Sequence, residues 1–249
     1  MALSYRQKLT TISLLFYWPT IFIFAHIPIP QLVRKAGVSD KSLHFLAYLI
    51  LVFLLWFAIS PHNKANWRKA TVWWILLVTV WYGVFDEMLQ YFQAGRTADV
   101  MDFFANLAGV VTGLILFTFL AFWPALLVVT GITIFTVTNL TRANLADLLP
   151  VTNVAFYLLA YTLFTMLWIH NIHLFLPLKP PQPKWLIVAS TLPISLLSSA
   201  KLFSIISGKV FRLQDVIIST IGILIVIATI FLTALFRQRS AQKSSSSNS

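Results

Sequence analysis

Eight apolar stretches separated by short polar breaks run along the chain, at roughly 10–27, 41–59, 70–92, 99–122, 125–140, 151–175, 184–206 and 213–236. Each approaches or reaches the length of about 17–25 residues that carries an α-helix across a bilayer. Lipid offers the backbone no hydrogen-bond partners, so such segments satisfy their own amides as helices. The breaks hold residues that stop helices: Pro28 and Pro30, Pro61-His62-Asn63, Gly95-Arg96, Pro124, Pro150, Pro177 to Pro183, and Gly208. Trp123-Pro124 leaves almost no loop, so the fourth and fifth spans should meet in a tight turn. Beyond Phe236, Arg237-Gln-Arg239 and a Ser-rich run predict a disordered polar tail over 237–249. The expected fold is therefore all-α: a polytopic integral membrane protein of about eight transmembrane helices.

Composition supports this and removes other classes. Hydrophobic residues make up 59% of the 249 and charged residues 10%, against roughly 45–50% and about 25% in soluble domains. So few charges cannot cover a water-facing globule of this size, and disorder needs the opposite balance. Cysteine is absent, which excludes disulfides, cysteine nucleophiles and thiolate metal sites. The net charge of +11 comes from cations scattered between apolar spans. They read as juxtamembrane residues beside anionic lipid, so the expected partner is the bilayer and not nucleic acid. Arg6 and Lys8 precede the first apolar run as in a signal peptide, but no small-x-small cleavage site follows it. That run is read as a membrane span.

Sliding the sequence by 113 residues overlays the spans as four on four. Gly95 falls on Gly208, Asp102 on Asp215, Gly109 on Gly222, and Ala47-Tyr48 on Ala160-Tyr161, without a gap. With only eight glycines in the chain, this points to an internal duplication, 1–123 and 124–236. An even number of spans per copy makes the repeats parallel. With the N-terminus inside, ten of the 18 Lys and Arg face the cytoplasm and eight face outward. This bias places both termini in the cytoplasm of an inner or plasma membrane.

Four of the seven acidic residues lie within 86–102. An ionisable group at mid-membrane costs roughly 2.5–3.5 kcal/mol on insertion scales, so such groups face a partner, a wet cavity or a task. Steps of three and four put Lys41, His44 and Tyr48 on one helical face, and Asp86 and Gln90 on another below Gly83. Asp99, Asp102, Asn106, Gly109 and Gly113 form a stripe that is polar first and then small, suited to close helix packing. The second and fourth spans begin with these residues and the third ends with them. All three patches therefore lie at one membrane side, within about 10 Å of the interface at 1.5 Å per residue.

These residues carry a resemblance. His44-Phe-Leu-Ala-Tyr48 after Asp40-Lys41, then Asp86-Glu87-Met-Leu-Gln90, Gly95-Arg96, Asp99 and Asp102-Phe-Phe-Ala-Asn106-Leu-Ala-Gly109 resemble the signature of VanZ-like membrane proteins over about residues 20–120. That family is named after an accessory protein of teicoplanin resistance. The resemblance implies a small helical membrane domain, but no settled reaction. At the gapless shift the second copy has Ser199 and Ala200 for Asp86 and Glu87, Phe203 for Gln90, Tyr157 for His44, Arg212 for Asp99 and Ser219 for Asn106. A degenerate second copy could pack against the first, or lend Lys201, Lys209 and Arg212 to its acids.

The expected polar or ligand-binding cluster is Lys41, His44, Tyr48, Asp86, Glu87, Gln90, Arg96, Asp99, Asp102 and Asn106. Gly109 and Gly113 serve helix packing. Its carboxylates would bind a cation or take up a proton, Lys41 and Arg96 would hold an anion, and Asn106 would orient its neighbours. The expected function is binding or modifying a lipid or cell-envelope ligand, with an effect on glycopeptide susceptibility. One alternative is a structural or assembly role in which the cluster only packs helices. Another is a metal-dependent membrane hydrolase, with His44, Asp86, Glu87 and Asp102 as metal candidates. No resident cofactor is expected, and no nucleophile sits with its base. His170 and His173 read as interfacial, and Trp73, Trp74, Trp81 and Trp185 as belt or packing aromatics.

Overall fold

A computed structural model of the chain describes residues 4–26, 39–92, 99–139, 150–209 and 211–246. Among the described residues there are eight α-helices and no strands. They are α1 (Tyr5–His26), α2 (Asp40–Ile59), α3 (Ala70–Tyr91), α4 (Val100–Phe119), α5 (Phe122–Asn139), α6 (Pro150–Phe175), α7 (Pro183–Ile206) and α8 (Leu213–Ser246). All eight are long and apolar enough to cross a membrane. Only Leu120 and Ala121 separate α4 from α5. At the C-terminus the outcome differs from expectation, because α8 continues past Phe236 to Ser246. Arg, Gln, Ala and Lys in 237–243 are good helix formers, and a helix already nucleated extends at little cost.

Two compact units divide the chain, residues 1–143 and 144–249. In the first, α2 packs most extensively on α4 and also touches α1, α3 and α5. Half of its apolar window is buried, against 6% of that of α1, so α2 is the core helix and α1 a peripheral one. Phe53, Phe57, Phe117 and Phe122 interlock at one end of this core, with ring centroids 5.0–5.8 Å apart. Lipid tails are as apolar as leucine, so apolar burial alone does not join these helices; close contact and polar bonds do. Gly109 provides the contact. A Cβ there would run into the carbonyl oxygen of Phe45, and one at Gly113 into Val52 Cγ1.

In the second unit α6 packs on α8, and α7 on both. A Cβ at Gly222 would lie 2.9 Å from the Leu158 carbonyl oxygen and 3.0 Å from Thr162 Oγ1. Gly208, at φ +75°, ends α7. Its amide bonds to the Ile205 carbonyl at 2.9 Å and that of Lys209 to the Ser204 carbonyl at 3.0 Å, the paired closure that favours glycine after a helix.

Candidate functional site

The polar side chains of α2, α3 and α4 converge. Asp86, Glu87, Gln90, Asp102, Asn106, His44 and Tyr48 are all buried, none more than 8% exposed. Asp99 caps α4, its Oδ1 accepting from the Met101 amide at 2.9 Å. Its own amide donates to Glu87 Oε2 at 3.3 Å, joining α4 to α3. Lys41 Nζ donates to Asp99 Oδ2 at 2.7 Å and to Asp102 Oδ1 at 3.4 Å, joining α2 to α4. His44 Nδ1 lies 3.0 Å from Asn106 Oδ1, and Gln90 Nε2 donates to Asp86 Oδ2 at 3.3 Å along one helix face. Lys41 and Asp99 are about half exposed, so the cluster has a wet rim and a dry floor.

Several floor atoms are buried without a hydrogen-bond partner: Glu87 Oε1, Tyr48 Oη and Asn106 Nδ2. The last two lie 3.5 and 3.6 Å from where a Cβ on Gly83 would sit. Gly83 thus leaves a polar-walled recess, and a buried group left unsatisfied costs about 1–3 kcal/mol. Two mostly apolar clefts reach the same residues. One, of about 400 Å³ between α3 and α4, touches Glu87 and Asp99 among Met88, Tyr91, Phe92 and Phe103. The other, of about 290 Å³ between α1, α2 and α3, touches Asp40, His44, Tyr48 and Asp86 among Ile21, Phe24 and Tyr82.

The family model VanZ/LLP1 matches residues 4–123, the stretch that builds this cluster. Residues 4–123 are a VanZ-like membrane region. No curated protein and no solved structure matches the chain. In this VanZ-like region, Lys41, His44, Tyr48, Asp86, Glu87, Gln90, Asp99, Asp102 and Asn106 stand together, while Gly95 and Arg96 lie outside the described residues. Two residues of the site stood outside the expected cluster. Asp40 Oδ1 lies 3.8 Å from His44 Nε2; its place one helical turn before His44 was the available signal. His26 Nδ1 lies 3.8 Å from Asp86 Oδ1, and nothing in the spacing of the first span pointed to it.

The second unit holds a smaller polar core. Lys201 Nζ donates to Asp215 Oδ2 at 2.6 Å and to Tyr157 Oη at 3.2 Å, and Asn153 Nδ2 donates to Asp215 Oδ1 at 2.9 Å. Lys201 therefore has its counter-ion within its own unit. Of the aromatics, Trp185 is a packing residue, fully buried, with Nε1 donating to His173 Nε2 at 3.1 Å. Trp73, Trp74 and Trp81 are exposed, as belt residues are. Lys209 also turns its ammonium inward, with Nζ buried and without a hydrogen-bond partner among the described residues. Burial, and then the Lys201 charge, hold its pKa below the ordinary value.

Proposed function

We propose that this protein binds an amphiphilic lipid or lipid-linked cell-envelope ligand at the polar cluster of its first unit, and through it alters susceptibility to glycopeptide antibiotics. What supports the reading is the pairing of two apolar clefts with one buried polar floor. A hydrocarbon chain fits the cleft walls, and a polar head reaches Lys41, Asp99 and the unsatisfied floor groups. Such a layout, mostly apolar with a few convergent polar groups, is that of a ligand pocket. With both termini in the cytoplasm, the starts of α2 and α4 and the end of α3 open toward the outer leaflet, where envelope precursors are presented.

We also read the two units as diverged copies, the second without the acidic floor. Favouring this, the buried face of α8 (Asp215, Ser219, Gly222, Ile223) is that of α4 (Asp102, Asn106, Gly109, Val110) displaced by 113. Gly222 also meets Leu158 and Thr162 where Gly109 meets Phe45 and Leu49, again 113 apart. By packing, α5 belongs with the first unit.

Substitution separates ligand binding from a purely structural cluster. Asp102→Asn and Glu87→Gln are expected to keep expression and a monodisperse profile in detergent, while removing co-purified lipid and any glycopeptide phenotype. Misfolding of both variants would give the structural role instead.

A further inference from the structure

We propose that Asp40, His44 and Asp102, with Glu87 beside them, bind a divalent metal ion, in the place that the second unit fills with the ammonium of Lys201. The proposal rests on the reading of the cluster as a ligand site and names one component of what it takes.

His44 lies at the centre. Its Nδ1 faces Asn106 Oδ1 at 3.0 Å, so the ring donates its Nδ1 proton there, and a neutral ring in this pose presents an Nε2 lone pair on the other side. Outer hydrogen bonds of this kind set the tautomer of metal-binding imidazoles. Nε2 faces Asp40 Oδ1 at 3.8 Å and Asp102 Oδ2 at 3.9 Å. These separations are too long for hydrogen bonds, yet they suit ligand atoms that each lie about 2 Å from one ion. One ligand atom each from His44, Asp86 and Glu87 also falls within 4.8 Å of the others, and Glu87 Oε1 is buried with no partner. Lys41 does not fill the gap. It bonds Asp99 and the other oxygen of Asp102, Oδ1.

The second unit provides the independent observation. Asn153, Tyr157 and Asp215 stand 113 residues after Asp40, His44 and Asp102. Asp215 and Tyr157 hold the Lys201 ammonium, and Asn153 supports Asp215. Trp185 and Val72 keep the 113 offset; beyond them the buried residues of α7 are Ala189, Pro193, Leu197, Ala200 and Lys201, and those of α3 include Ile75, Thr79, Gly83, Asp86 and Glu87. Those faces are displaced by 114, so Lys201, rather than Ala200, takes the place of Glu87. One unit thus closes its cradle with a built-in cation. The other keeps the cradle, puts a carboxylate where that cation would be tethered, and makes the central ligand an imidazole. Imidazole with carboxylates is a donor set for zinc, manganese, iron or cobalt.

The test is a Mn²⁺ titration of the full-length protein in detergent, followed by electron paramagnetic resonance, with lipid quantified on the same samples. One tightly held Mn²⁺ per chain is expected, with spin-echo modulation from a single histidine nitrogen. Affinity should fall at least tenfold in Asp102→Asn and vanish in Glu87→Lys, which tethers an ammonium as the second unit does and so should stay folded. Wild-type protein that takes up no Mn²⁺, or a folded Glu87→Lys that binds it unchanged, overturns the proposal whatever the other variant does. Ethanolamine binding in place of Mn²⁺ assigns the cradle to an ammonium head group and overturns the metal. Lipid retained without Mn²⁺ removes the metal but leaves the broader pocket reading; Mn²⁺ bound without lipid does the reverse.

Discussion

Lys41 Nζ lies 2.7 Å from Asp99 Oδ2, clasping the first turn of α2 to the residue that caps α4. The bond from the Lys41 ammonium, helped by the Met101 amide, holds the Asp99 carboxyl below the ordinary carboxylate range. A depressed carboxyl contributes stability above its unfolded pKa of about 3.9, and loses it as pH falls through the lower folded value. Asn also caps helices, so Asp99→Asn removes the charge and keeps the cap. The variant should melt slightly below wild type at neutral pH. The difference should close between about pH 5 and pH 2, as followed by thermal unfolding in detergent. A gap that persists unchanged at acid pH would show that the clasp does not depend on the carboxylate charge.

How much of this was legible in sequence differs from residue to residue. The stripe Asp99, Asp102, Asn106, Gly109, Gly113 and the pair Asp86, Gln90 follow helical spacing, and helices in lipid have no alternative backbone structure. Their facing was therefore readable, and the structure has Asp102, Asn106, Gly109 and Gly113 buried. Asp40 was harder, because a first-turn acid reads equally as a macrodipole partner. Lys201 was hidden by a one-residue change of register: α6 and α8 keep the 113 offset, whereas α7 presents its inner face one residue later. No single gapless overlay places both Lys201 opposite Glu87 and Asp215 opposite Asp102. The extension of α8 was missed because serine and charge read as a solvated tail.

Three glycines rank by what a methyl group would strike. At Gly109 the obstacle is the backbone carbonyl of Phe45, which cannot move without shifting α2. Gly109→Ala should cost about 3 kcal/mol or more, beyond ordinary overpacking. At Gly222 the nearest atoms are the Leu158 carbonyl oxygen at 2.9 Å and the Thr162 hydroxyl at 3.0 Å, so Gly222→Ala should cost about 1–3 kcal/mol. Gly83→Ala meets nothing closer than Tyr48 Oη at 3.5 Å and should leave stability nearly unchanged. Melting temperatures of the three variants in one detergent give the order, and a destabilised Gly83→Ala with a normal Gly109→Ala would refute it.

The Lys201–Asp215 pair is buried on both sides, and the ammonium also sits 4.6 Å from the Tyr157 ring centroid. Removing one member of a buried pair leaves an uncompensated charge and typically costs about 3–5 kcal/mol. Lys201→Met should therefore be strongly destabilising. Adding Asp215→Asn removes the stranded carboxylate, so the double variant should recover much of the loss. A double-mutant cycle on unfolding free energies measures the coupling; additive single losses would show that the pair does not act as a unit.

Lys209 presents the opposite case, a cation whose removal should help. Its Nζ is buried with no hydrogen-bond partner, on the residue that closes the turn after α7. Burial and the neighbouring Lys201 charge lower its pKa. A lysine with a depressed folded pKa weakens the fold while it stays charged. Stability then rises as pH climbs through the folded value, until the unfolded value of about 10.4 is passed. Lys209→Met keeps the apolar stem and deletes the ammonium, so it should melt above wild type at neutral pH. The advantage should shrink steadily as pH approaches about 10.4. Thermal unfolding across that range in detergent checks both parts, and a variant that melts below wild type at neutral pH would mean that the ammonium is held by a partner it needs.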